Sequence, residues 1–424
     1  MRSIVAAVVL AASISADAQR SPAEWPTWRG ANRDGHSPDT GLLRQWPEGG
    51  PRLAMTVKNV GAGFSSVAVS GGRIYTMGDR HGAQYLIAFN DSDGRELWSL
   101  RVGPEWDDEM PGPRATPTVS NGMVYAIGTE GDLVAADAAT GRERWRRNLV
   151  RDFGGRMMSS WKFSESPLVD GDRVIVTPGA RDAVIVALNA RTGQDIWRAK
   201  MGSFQSGGSD GAGYSSIVIS NGGGVKQYVQ LTGRGVISVR ASDGWFMWGY
   251  GAVANNTANI STPIVTGDHV FASTGYGTGA ALLKIVREGD RTRADEVYFL
   301  GPGTFQNHHG NMVLVGSHIY AGHGQNNGFP IAIELASGKV VWGGRLRNAG
   351  QGSAAVSYAD GHLYFRYQNG VMMLIEATPS AYREKGSFRI PNVHHPSWSH
   401  PVIINGRLYL REQDSIYVYD VRGN

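Results

Sequence analysis

Residues 115–149 read ATPTVSNGMVYAIGTEGDLVAADAATGRERWRRNL, four short β-prone runs separated by three turn signals. Asn121-Gly122 divides TPTVS from MVYAIG, Glu130-Gly131 divides MVYAIG from LVAADA, and Thr140-Gly141 divides LVAADA from RWRRNL. Asn-Gly between apolar runs is the strongest short-range hairpin signal, because both residues accept the positive φ that a tight turn requires. Asp137 stands just before the third turn, where its carboxylate can accept bonds from the turn amides. The segment is therefore a four-stranded antiparallel meander with Trp145 in its outermost strand.

The unit recurs along the whole chain. Its fourth-strand aromatic appears as Trp98, Trp145, Trp197, Trp248 and Trp342, with Tyr298 and Phe388 at the equivalent places of two more degenerate copies. A spacing of about 44 to 52 residues is the period of a propeller blade. The first hairpin is marked in eight copies, by Gly71-Gly72, Asn121-Gly122, Gly171, Asn221-Gly222, Gly267, Gly316, Asp360-Gly361 and Asn405-Gly406. The last copy has only three strands, ending with SIYVYD near Asp420. PRLAMTVK, residues 51–58, precedes the first full copy and carries Met55 where the others carry an aromatic. The expectation is an all-β protein: an eight-bladed β-propeller of four-stranded antiparallel blades, its ring closed by the N-terminal strand in the last blade.

Composition agrees with many tight turns and short strands: 58 Gly and 12 Trp in 424 residues. The 41 basic and 37 acidic residues leave a net charge of +4 with no block of like charge, so nucleic acid is not an expected partner. Cys is absent, which excludes disulfides, thiolate metal sites, covalent c-type haem and a lipidated Cys. Arg2, the apolar stretch Ile4 to Ile14 and Ala16-Asp17-Ala18 read as a signal peptide over residues 1–18, and hence as a periplasmic or secreted protein. No later run is long and apolar enough to span a membrane. The expected organisation is an entry segment at 19–40 and a propeller at 41–424, as a monomer.

Thr140-Gly141 to Trp145 and Thr192-Gly193 to Trp197 share a TGxxxW signature. It resembles the tryptophan-docking motif of pyrroloquinoline-quinone (PQQ) repeat propellers and of the related outer-membrane assembly factor. The resemblance implies that each indole packs between neighbouring blades against a Gly backbone, where the missing Cβ leaves a flat surface. WPTWRGANRDG at 25–35, with SESPLVDGD, YVQLTGRGV and STPIVTGDHVF, is similar to a branch of secreted bacterial propellers labelled quinone-dependent dehydrogenases. That similarity implies a PQQ cofactor with Ca²⁺ and oxidation of alcohols or sugars; the adjacent Cys pair and CxxCH of quinoprotein dehydrogenases are missing. Three functions are open: a ligand-binding or protein-interaction module, a PQQ-dependent oxidoreductase, and a scaffold in outer-membrane assembly. The corresponding partners are a small-molecule or glycan ligand, or envelope proteins.

Loops entering the innermost strands converge on the axis of a propeller, so the residues before each first strand define the expected site. They form a polar ring: Ser65 and Ser66; Arg114 and Thr116; Lys162, Glu165 and Ser166; Asp210, Tyr214 and Ser215; Asn256, Asn259 and Ser261; Asn307, His308, His309 and Asn311; Gln351 and Ser353; His395, Trp398 and His400. One reading is a water-filled channel whose small polar groups satisfy backbone atoms. The other is a site for an anionic or polyhydroxylated ligand, with Arg114, Lys162, Glu165, Asn259, Asn307, Trp398 and His400 as cofactor-binding candidates. Glu165 with Asn259 or Asp210 could hold Ca²⁺ through hard oxygen donors. Asp210 and His309 are the candidate bases for a substrate hydroxyl, with a turn role and a packed structural role as their alternatives. Adjacent histidines on an extended strand point to opposite faces, so His308-His309 and the His394, His395, His400 group make a weak transition-metal motif. Gly-rich stretches such as Gly207-Gly208 precede no helix and are not a dinucleotide fingerprint.

Overall fold

A computed structural model describes residues 23–423, so the expected signal peptide lies outside the described residues. Eight four-stranded antiparallel sheets follow one another around a ring. Blade 2 is typical, with strands Thr118–Ser120, Met123–Ile127, Asp132–Asp137 and Glu143–Asn148 from the axis outward. Its first turn places Asn121 at φ 49 and Gly122 at φ 74, the conformation that the Asn-Gly pair signals. Asp137 Oδ1 accepts from the N–H of Thr140 at 3.0 Å and of Ala139 at 3.2 Å, as expected of an Asx-type cap.

The eighth blade consists of Val402–Ile404, Arg407–Glu412 and Ser415–Asp420, completed on its outer edge by Arg52–Lys58. Met55 pairs with Val418 in that antiparallel register. The edge strand that would otherwise be left open is thereby paired. Arg366 of blade 7 and Glu412 of blade 8 form a buried ion pair at 2.8 Å, and Arg411 reaches Thr76 of blade 1 at 2.9 Å. A buried charge of this kind is tolerated only when its hydrogen bonds are filled, and Arg366 also donates to Ser397 Oγ and Ser399 O.

Between blades, the indole of Trp145 lies on Gly193 of the next blade, where a Cβ would come within 2.7 Å of the ring. Trp98 over Gly141, Trp197 over Gly244 and Tyr298 over Gly338 repeat the contact, and Met55 covers Gly94 in the same way. Trp145 Nε1 donates to Ala190 O at 2.9 Å and Trp98 Nε1 to Ala138 O at 3.2 Å, so the polar edge of these two indoles is satisfied, whereas Trp197 Nε1 is buried without a partner among the described residues. Trp248 departs from the pattern: its Nε1 donates to Gln227 Oε1 within its own blade.

Residues 24–46 run across the ring at the end that carries the first hairpin turns. Glu24 accepts from Gly71 N, Leu42 N donates to Asp360, and Asp39 accepts from Gly406 N, so three of those turns are tied to the segment.

Two substitutions separate the indole contact from backbone strain. Gly267 has φ 52 and open space around it, so Gly267→Ala should cost only the left-handed backbone penalty, about 1 kcal/mol. Gly193 has φ 70 and meets Trp145, so Gly193→Ala should cost about 2 kcal/mol more. Equal losses in chemical denaturation would show that the indole moves aside without penalty. Deleting Arg52–Lys58 should abolish the single cooperative unfolding transition, because it opens the eighth blade.

Candidate functional site

In blades 2 to 5 the start of the innermost strand is fixed by a side chain from the next blade. Thr116 N–H donates to Ser166 Oγ at 2.9 Å, Ser166 N–H to Ser216 Oγ at 3.0 Å, Ser216 N–H to Thr262 Oγ1 at 3.4 Å, and Thr262 N–H to Asn311 Oδ1 at 2.6 Å. These residues are buried, and their side chains satisfy amides that no sheet ladder reaches. On the other side of the ring, Ser65 and Ser66 bond the carbonyls of Ala115 and His400. Ser65, Ser66, Ser166 and Asn311 of the ring are thus inter-blade ties, while Thr116 Oγ1 and Ser215 Oγ are buried without a partner among the described residues.

The axis is plugged from the hairpin end. Arg29 and Arg33 both adopt positive φ, 61 and 59, and send buried guanidinium groups in different directions. Arg29 donates to Val356 O and to Met312 O, while Arg33 donates to Ser166 O at 2.7 Å and Pro167 O at 3.0 Å. Burial pulls both down to about 10, which leaves them charged at neutral pH. Thr27 Oγ1 meets Thr118 Oγ1 at 2.7 Å, and Trp28 Nε1 donates to Thr262 Oγ1 at 3.3 Å. One segment therefore touches blades on opposite sides of the axis, and Trp28 becomes the floor of what lies above it.

Above that floor is a cavity of about 270 Å³. Trp28, Phe64, Trp161, Tyr214, Tyr276 and Trp398 supply aromatic walls, joined by His308, His309, His400, Met110 and Ile260, with Arg114, Glu109, Asn311 and serine hydroxyls as its polar members. The rings are in contact: Trp28 lies 4.5 Å from His400, His309 lies 4.7 Å from Trp398, and Phe64 lies 5.1 Å from Trp398, between centroids. His308 is held by Ser353 Oγ at 2.6 Å and Tyr276 OH at 2.9 Å, and Trp398 Nε1 donates to Gln368 Oε1 at 2.9 Å. His309 Nε2 and His400 Nδ1 are buried and have no hydrogen-bond partner in the protein.

Of the residues singled out by position in the sequence, the candidates Arg114, Trp398, His309 and His400 line this cavity, as do Ser166, Tyr214, His308 and Asn311 of the wider ring. Arg114 is turned to the carbonyls of Gly112 and Met110 and stacks on Trp106 at 4.0 Å. Lys162 pairs with Glu130 at 2.8 Å. Glu165 accepts from Thr177 N at 2.7 Å, Thr177 Oγ1 at 2.9 Å and Gln230 Nε2 at 3.2 Å, and burial pushes its carboxyl up to about 8. Asn259 donates to the carbonyls of Thr232 and Gly233 and accepts from Asn255 N; Asn307 bonds Ser261, Asn311 and Gly322. Asp210 faces Arg156 at 3.0 Å, with Arg181 and Arg234 at 3.6 and 3.8 Å, and does not line the cavity. No group of three or more His, Asp or Glu among the described residues is arranged to hold a metal ion.

These placements do not fit a PQQ–Ca²⁺ pair. Glu165 and Asn259, proposed from the sequence as a shared cation site, each commit their oxygens to bonds within the fold. The cavity sets one engaged guanidinium against the three carboxylates that such a quinone carries.

Trp28, Phe64 and Tyr276 were not among the expected site residues. Tyr276 sits in the turn between the second and third strands of blade 5, which opens on the same end as the loops entering the innermost strands. Trp28 belongs to the opening segment, which carries no repeat.

The family model described as outer membrane protein assembly factor BamB matches residues 37–146 and 82–344. A quinohemoprotein alcohol dehydrogenase, ADH IIB of Pseudomonas putida, is 26% identical over 49% of this chain and 31% of its own length. The BamB of Kangiella koreensis is 28% identical over 50% of this chain and 49% of its own. The chain thus spans half or less of the length of these curated relatives. Among solved structures, the quinohemoprotein alcohol dehydrogenase of Comamonas testosteroni superposes with a TM-score of 0.64 at 14% identity, over 96% of this chain and 82% of that one. At that identity the likeness is one of fold.

Burial moves the pocket imidazoles down, His308 to about 4 and His309 and His400 well below the usual value near 6.5. Each is neutral in the folded protein and takes a proton readily only when unfolded. Their contribution to stability is complete above pH 6.5 and is lost as the pH falls toward 4. Thermal melts should accordingly drop between pH 6.5 and 4, and His309→Phe should retain a larger share of its neutral-pH stability at pH 4.5 than the unaltered chain does. Parallel acid limbs in the two proteins would contradict the assignment.

Proposed function

This chain belongs to the PQQ-repeat propeller family described as outer membrane protein assembly factor BamB, and from that premise we propose that it is a binding module of the bacterial envelope, periplasmic or secreted, whose ligand seats in the axial cavity. The observation that carries this reading is the cavity itself. It is closed below by Trp28 and walled by aromatic rings, with Arg114, Asn311 and serines as polar members of its lining. A concave, largely apolar site with a few convergent polar groups is the usual form of a small-molecule site. The oxidoreductase alternative has less support, because the residues that would hold the quinone and its cation are engaged elsewhere.

A second reading, docking of an envelope protein, draws support from the family match and from the rim of blades 4 and 5. There the ten-residue outer strand Arg291–Leu300 exposes Val297 and Phe299, and Arg291 stacks on the exposed Trp245 at 5.1 Å. Cross-linking from Phe299 in intact cells, with recovery of an outer-membrane protein, would favour it.

The main reading is tested by thermal shift of the purified chain against a fractionated small-molecule extract of the envelope, alongside titration with PQQ and Ca²⁺. A stabilising fraction that loses its effect on Trp161→Ala, with no uptake of PQQ, is the expected result. One-to-one PQQ binding with substrate-dependent dye reduction would overturn it and establish the oxidoreductase.

A further inference from the structure

We propose that the axial cavity is an aromatic cage for an organic cation without N–H groups, a quaternary ammonium, with Glu109 at its lip as the counter-charge. The inference rests on the binding-module reading above and adds the chemical class of the ligand.

The walls come first. Trp28, Trp161, Tyr214, Tyr276 and Trp398 line the cavity, and each keeps part of its surface exposed. They do not stand as two parallel plates, the form that clamps a flat molecule: Trp161 meets Tyr214 at 65°, Tyr276 meets His308 at 77° and Trp28 meets His400 at 64°. Rings set at steep angles enclose a rounded space, and the negative face of an aromatic ring attracts a cation held within about 6 Å of its centre. One resident cation already uses this mode, since the Arg114 guanidinium lies over Phe64 at 5.6 Å and over Trp106 at 4.0 Å.

Charge at the mouth has the matching sign. The loop from blade 1 to blade 2 carries Glu105, Asp107, Asp108 and Glu109, with no basic residue between Pro104 and Met110. Glu109 lines the cavity and is exposed, and its carboxylate has no ion-pair or hydrogen-bond partner among the described residues. Arg114, the one cation of the lining, is turned onto the carbonyls of Gly112 and Met110 and is offset by the charges of Asp108 and Asp79. The three pocket imidazoles are neutral through burial and add no repulsion. Arg156, Arg181 and Arg234 gather on Asp210, outside the lining.

Hydrogen bonding narrows the kind of cation. Inside the cavity the polar atoms are already engaged: Asn311 Oδ1 accepts from Thr262 N, Ser166 Oγ from Thr116 N and Ser216 Oγ from Ser166 N, and Tyr276 OH bonds His308 Nε2. A primary ammonium would give up water around three N–H donors and meet a free carboxylate only at Glu109. A quaternary ammonium has no N–H to satisfy, and its charge is spread over alkyl groups that pack against the rings.

Calorimetric titration of the full chain tests the assignment, with choline as the quaternary probe, dimethylbutanol as its uncharged isostere with carbon in place of nitrogen, and ethanolamine as the primary ammonium. Choline should bind at least about tenfold more tightly than either. Trp161→Ala, altered at the exposed rim where folding is not at stake, should weaken choline about tenfold. Glu109→Gln should weaken it about threefold and leave dimethylbutanol unchanged. Equal binding of choline and dimethylbutanol, ethanolamine bound as tightly as choline, or choline binding that survives both substitutions would overturn the proposal. If choline does not bind while an envelope fraction still stabilises the chain, the cation assignment falls and the binding module stands; if neither acts, both fall.

Discussion

Two guanidinium groups on the axis of the ring, those of Arg29 and Arg33, determine what kind of object this propeller is. An eight-bladed ring leaves an open channel, and a channel with polar walls fills with water. Here the opening segment crosses it, and its two arginines bond carbonyls of blades 3, 6 and 7 that the sheets leave unpaired. Both residues adopt positive φ, and their side chains reach carbonyls on opposite sides of the axis. The plug converts a passage into a blind pocket, with an indole as its floor.

The ring itself is held by two repeating devices that act at different radii. Near the rim, an aromatic side chain lies on the glycine of the neighbouring blade and removes apolar surface from water. Near the axis, a serine, threonine or asparagine takes the first free amide of the preceding blade, which leaves few polar atoms unsatisfied where the blades crowd together. Closure by Arg52–Lys58 and the buried Arg366–Glu412 pair joins the chain's two ends into this same pattern. Unfolding should therefore be cooperative around the ring, and a pocket built on it should be pre-formed.

Much of this was legible in the sequence, because a blade is a local object. Turn residues, strand alternation and the fourth-strand aromatic all lie within one period, which is why even the substitution of Met55 for an aromatic could be read. The site was legible in position more than in role. Counting back from each first strand found Arg114, His309, Trp398 and His400, which face the cavity. The same count found Glu165, Asn259 and Asn307, whose side chains turn into the wall to bond Thr177, Thr232 and Ser261. Spacing along a strand carries no information about which way a loop side chain rotates, and polar residue types suit both tasks. Trp28 escaped for another reason: its segment is not repeated, and its partners lie far along the chain, 327 residues away in the contact of Arg29 with Val356 and 367 in that of Asp39 with Gly406.

The most direct test of the account is amide hydrogen exchange across residues 24–37 of the intact protein. The N–H groups of Gly35 and Ser37 bond Arg29 O and Tyr358 O, both at 2.8 Å, within a segment whose arginines are buried. The account predicts that these amides exchange as slowly as those of the innermost strands and are released in the same cooperative step. Exchange at the rate of the exposed loop around Asp107 and Asp108 would mean that the segment is a loose tether, the axis is an open channel, and the pocket has no floor.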